Sequence, residues 1–70
     1  MIDQVRAELV RLGVNDSIIA WETDGLVELE LFGWDGARVA LDGRRALDTL
    51  RAVREGDGAE AVFSALEAAR

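Results

Sequence analysis

The sequence predicts an α+β fold, with helices packed on one face of a three-stranded antiparallel meander in the order α-β-β-β-α-α. Apolar residues recur at helical spacing over residues 3–12, 43–55 and 58–69. Between them, Leu26-Val27-Glu28-Leu29-Glu30-Leu31-Phe32 alternates with the period of a strand. The dipeptides Asp24-Gly25 and Asp35-Gly36 divide residues 17–42 into three strands. Residues 1–70 read as a single small α+β domain.

In the first helix, Ile2, Val5, Leu9 and Leu12 form one stripe and Asp3 can start it. Gly13 is a left-handed stop, and Val14 can fold back as its apolar contact. Asn15-Asp16 then turns the chain.

In the meander, Thr23-Asp24-Gly25 and Trp34-Asp35-Gly36 both suit a three-residue hairpin, a type I turn followed by a left-handed Gly. That register pairs Trp21 with Val27, Ile19 with Leu29, Leu31 with Val39 and Leu29 with Leu41, all on one buried face. A two-residue Asp24-Gly25 turn would instead set Trp21 opposite Glu28, facing out. The three-residue loop is expected because it buries the larger apolar set.

The second helix turns Ala46, Leu47, Leu50 and Val53 inward, with Asp42 as cap and Gly56 as stop. The third buries Ala59, Val62, Phe63 and Leu66. Asp57 and Glu60 form a capping-box variant at its start.

From Leu12 to Ala37 the chain carries six acids and no cation, matching the whole net charge of -6. Such a field attracts cationic partners and repels nucleic acid and anionic membranes. His, Cys, Lys, Tyr and Pro are absent. Zinc, iron–sulfur and Cys or His nucleophile chemistry therefore have no donors here. No catalytic, cofactor-binding or metal-binding motif is found: Ser17 and Ser64 lack a base, and Gly33 and Gly36 are hairpin glycines. Glu22-Thr23-Asp24-Gly25 echoes part of a calcium loop, but Ala20 and Leu31 stand where its first and last carboxylates belong. A non-enzymatic protein is expected, with no cofactor. With no signal segment or apolar span, a cytoplasmic location is expected.

The candidate partner-binding residues are Glu22, Asp24, Glu28, Glu30 and Asp35, with Phe32 and Trp34 as apolar anchors. The expected outer sheet face gathers Glu22, Glu28, Glu30 and Asp42 among Ile18, Ala20, Leu26, Phe32, Arg38 and Ala40. It reads either as a docking surface for a basic partner or as an ordinary solvated face. Trp34 is an interface anchor or a cover over the sheet edge. Arg38, Arg44, Arg45 and Arg51 form an alternative basic patch. Its competing reading is local pairing of Arg44 with Asp48 and Arg51 with Glu55. Ala61, Ala65 and Ala68 lie off the main stripe of the third helix; they read either as plain helix formers or as small residues that allow close approach in a homodimer.

The α-β-β-β-α order over residues 3–55 is similar to the topology of double-stranded-RNA-binding domains. Arg44 and Arg45 stand where those domains carry a basic patch at the second helix N-terminus. The resemblance is one of topology, and no family is assigned on it. The expected function is an acidic protein-binding module, an inhibitor or adaptor of the phage-type, anti-CRISPR-like kind that mobile elements encode. It would dock on a basic nucleic-acid-binding protein and block it. The alternatives are a homo-oligomeric assembly protein and a weak nucleic-acid binder working through the arginines of the second helix.

Overall fold

The structure, a computed structural model, describes residues 1–33 and 36–70. Helix α1 (Ile2–Arg11) leads into strands β1 (Ile18–Thr23), β2 (Leu26–Leu31) and β3 (Arg38–Asp42), followed by helices α2 (Gly43–Ala52) and α3 (Ala59–Ala68). The strands form one antiparallel sheet in the order β1-β2-β3. The α+β class and the α-β-β-β-α-α order are those the sequence predicts.

Helix α1 ends as its glycine demands. Gly13 adopts φ 72°, donating its N–H to the Val10 carbonyl at 2.9 Å while Val14 donates to Leu9 at 3.0 Å. This pair of bonds is a Schellman motif, and it folds Val14 into the core.

The first hairpin differs from expectation. Thr23 pairs with Leu26, so the turn is the two-residue Asp24-Gly25, with φ 51° and 81°. Positive φ at both central residues is type I′ geometry, whose twist matches that of the strands. The one-residue change of register turns Ile18 and Ala20 inward, at 1% and 3% exposure, and leaves Ile19 at 45%. Trp21 is half-buried on the outer face, opposite Glu28. An inward Trp21 would add apolar burial but would also bury its indole N–H. Every buried side chain among the described residues is apolar, so an inward Trp21 would bury a donor with no side-chain acceptor.

The second hairpin keeps the expected faces but shifts by two residues. Val27 pairs with Leu41 and Leu29 with Val39. Leu31 donates its N–H to the Ala37 carbonyl at 3.0 Å, so residues 32–36 make the connection rather than Trp34-Asp35-Gly36 alone. Gly33 and Gly36 both take left-handed φ, 87° and 73°. Trp34 and Asp35 themselves lie outside the described residues.

Asp42 ends β3 and caps α2 at once: its Oδ1 accepts the N–H groups of Arg44 at 2.8 Å and Arg45 at 3.4 Å. Helix α2 stops at Val53, where the backbone becomes extended (ψ 142°), before the expected Gly56. Helix α3 is capped by Gly58 at φ 94°, with no side-chain cap bond. The expected Asp57–Glu60 box does not form, because Gly58 places Asp57 one residue too far from the helix. The opposite end of α3 is held by Arg45, whose Nη1 donates to the Ala69 carbonyl at 2.9 Å.

The core is one continuous apolar cluster between the helices and the inner sheet face, centred on Val5, Leu9, Leu29, Leu50 and Leu66. A polar rim ties α1 to α2. Arg11 donates to Glu8 at 2.6 Å and to the Leu50 carbonyl at 3.0 Å, and approaches Glu55 at 3.8 Å. Arg51 reaches Glu8 at 3.6 Å rather than the expected Glu55. The Arg11 hydrogen bond leads the interactions that hold the Glu8 carboxyl below its ordinary value, against a smaller opposing effect of desolvation. No helix among the described residues is long and apolar enough to cross a membrane.

Candidate protein-docking face

Among the described residues, no helix covers the outer face of the sheet. The pairings set its side chains in three rows: Ile19–Glu30–Arg38, Trp21–Glu28–Ala40 and Thr23–Leu26–Asp42. Alternation from buried Leu31 turns Phe32 to the same side, where it is 66% exposed, and Leu26 is 42% exposed. The face therefore mixes apolar groups with Glu28 and Glu30, both half-buried. One cation crosses it. Arg38 donates to Glu30 at 3.3 Å, and its Cζ stands 5.5 Å from the ring centroid of Trp21.

Of the expected docking residues, the structure brings Glu28, Glu30 and Phe32 together. Glu22 does not join them: it follows buried Ile18 and Ala20 in alternation, faces the helix side and is exposed at the strand end. Asp24 is exposed in the type I′ turn at the sheet end. Trp34 and Asp35 lie outside the described residues. Ile18 and Ala20, expected on this face, belong to the core. Trp21 and Ile19 take their places. The two-residue Asp24-Gly25 turn was the signal that could have found them.

The four arginines of the alternative patch are not gathered at one place, although Arg44 and Arg45 line one hollow with Asp42, Asp48 and Thr49. Arg38 lies on the sheet face, Arg44 pairs with Asp48 at 3.4 Å as expected, Arg45 holds the end of α3 and Arg51 meets Glu8. Each guanidinium already has an acceptor within the chain. Among the described residues, no group of three or more acids is arranged to hold a metal ion.

A shallow groove of about 320 Å³ runs between α1 and the β1 edge, lined by Leu9, Val10, Ile18, Ile19 and Ala20. Arg6 bridges it, donating from Nε and Nη2 to the Ala20 carbonyl at 3.1 and 2.7 Å. That contact occupies an outward acceptor of an edge strand. Comparison with known proteins found no matching family model, no matching curated protein and no matching solved structure.

Proposed function

We propose that this protein is a non-enzymatic binding module that docks through its open sheet face on a protein with a basic surface. The observation that supports the reading is the composition of that face. Ile19, Leu26 and Phe32 are exposed beside Glu28 and Glu30, with a half-buried Trp21 among them. Apolar groups supply the contact area of an interface, and the carboxylates give it sign and steering. A nucleic-acid-binding protein is the partner class proposed, because carboxylates on a rigid strand can stand in for phosphates toward its cations. An inhibitor of such a protein, of the kind mobile elements carry, is the function this leads to. The separated, internally engaged arginines favour a protein partner over nucleic acid.

The test is capture of partners from nuclease-treated lysate, followed by affinity measurement with the purified partner. Reversing Glu28 and Glu30 to Lys together is expected to weaken binding at least tenfold while the far-UV circular dichroism and melting temperature stay close to wild type. Unchanged affinity in the double variant would remove this face from the interface.

A second reading, self-association, is favoured by the β3 edge. Ala37, Val39 and Leu41 direct their backbone groups to β2, so Arg38 and Ala40 turn theirs outward. An antiparallel second copy centred on Ala40 would place Arg38 opposite the second copy's Asp42, and the reverse. Sedimentation velocity of wild type and Ala40→Pro decides it. A dimer abolished by the proline supports edge pairing, and a wild-type monomer throughout the concentration range removes it.

A further inference from the structure

Arg38 starts on one edge of the sheet and lies over a residue of the other. Its guanidinium leaves β3, meets Glu30 on β2 at 3.3 Å and stands 5.5 Å from the ring centroid of Trp21 on β1. A planar cation over an indole with a carboxylate at its edge is the arrangement that recognises a guanidinium. The chain's own arginine thus identifies the chemistry this patch accepts.

The occupation is partial. The contact to Glu30 is a single one, longer than the roughly 2.7–2.9 Å of a strong charge-assisted bond, and the Arg38 side chain stays 54% exposed. Glu28, directly across from Trp21, has no ion-pair partner among the described residues. Glu28 and Glu30 point to the same face two strand rises apart, about 6.5–7 Å, so a guanidinium on the indole can lie between both carboxylates.

We propose that Trp21, Glu28 and Glu30 form a binding site for an arginine side chain of the partner, which Arg38 fills in the free protein and vacates on docking. The site rests on the sheet-face reading above and specifies it. An arginine-bearing partner is favoured over a lysine-bearing one, because the planar guanidinium both stacks and forks, whereas an ammonium is a compact, strongly hydrated charge.

The probes are acetyl-hexaarginine amide and acetyl-hexalysine amide, titrated at low salt into isotope-labelled protein. Trp34→Phe leaves the Trp21 indole N–H as the single reporter. Hexaarginine is expected to shift that resonance, and Arg38→Met to tighten its binding about three- to thirtyfold, the worth of one exposed stacking contact plus one exposed ion pair. Arg38→Lys, which keeps the charge and loses the plane, is expected to fall between. Trp21→Leu in the Arg38→Met background, followed by the backbone amide resonances of Glu28 and Glu30 because the indole is gone, should abolish the gain, and hexalysine should bind more weakly throughout. Binding unchanged or weakened by Arg38→Met, or equal for the two peptides, overturns the proposal. Should Glu28→Lys/Glu30→Lys still impair the natural partner in that event, the docking face stands and only the arginine site is withdrawn. If that double variant has no effect, the face itself is withdrawn.

Discussion

Neighbouring isoleucines give the sharpest test of the fold. Ile18 is 1% exposed and Ile19 is 45% exposed, a contrast created by the two-residue turn at Asp24-Gly25. Truncation to Ala removes three carbons, and at ~0.8 kcal/mol per buried carbon the transfer loss is ~2.4 kcal/mol for a fully buried side chain. At Ile18 the cavity left behind adds to this, within the ~2–5 kcal/mol range of buried Ile→Ala changes. At Ile19 a little over half of the transfer loss applies, ~1.3 kcal/mol, with no cavity because the face is open. The whole fold of 70 residues is worth ~4–10 kcal/mol at ordinary per-residue stability. Urea unfolding followed by far-UV circular dichroism, with a slope of ~1 kcal/mol per molar, should lower the midpoint about 1 M or more further for Ile18→Ala than for Ile19→Ala. If Ile18→Ala is too unstable to give a folded baseline, Ile18→Val is expected to cost ~0.5–1.5 kcal/mol. An Ile19 variant that loses as much as its Ile18 counterpart, or more, would refute the two-residue register and restore the three-residue one.

Three further outcomes follow from local geometry. Gly25→Ala forces a side chain into φ 81° and should cost ~1–2 kcal/mol by the same unfolding assay, with Gly25→Asn losing less. Asp42→Ala removes the acceptor of two α2 amides and should cost ~0.5–2 kcal/mol, with faster hydrogen exchange at Arg44 and Arg45. A wild-type exchange rate there would deny Asp42 its capping role. Glu8 titrates lower in the folded chain than in the unfolded one. Its contribution to stability is therefore complete above the unfolded carboxylate value and is lost as pH falls through the lowered folded value. Glu8→Gln should flatten the acid limb of stability against pH, and an unchanged slope would show that the Arg11 contact carries no stability.

The helices were legible because their spacing signals are strong. Asp42 as cap and Gly13 as stop each name one atom-level role, and the structure shows both. The strands were legible as strands, but their pairing was not. Burying Trp21 and Ile19 looked favourable on apolar area alone, whereas the turn dihedrals at Asp24 and Gly25 and the unmatched indole donor decide the register. The outer-face acids Glu28 and Glu30 were found because β2 alternates whatever its neighbours do. Trp21 was missed because its face depends on a turn one residue shorter than expected. The roles of Arg11 and Arg45 were out of reach: both act on carbonyls distant in sequence, Leu50 and Ala69, and backbone acceptors leave no residue-type signature.

The sheet has one face inside and one outside, so its two sets of side chains answer to different pressures. Replacing Leu29 or Val39 opens a hole in the only apolar cluster among the described residues, and a chain this short has little stability to lose. Replacing Ile19, Glu28, Arg38 or Ala40 changes shape and sign on the open face at less cost to folding than a core replacement. The open face can therefore change from one variant to another while the interior stays the same.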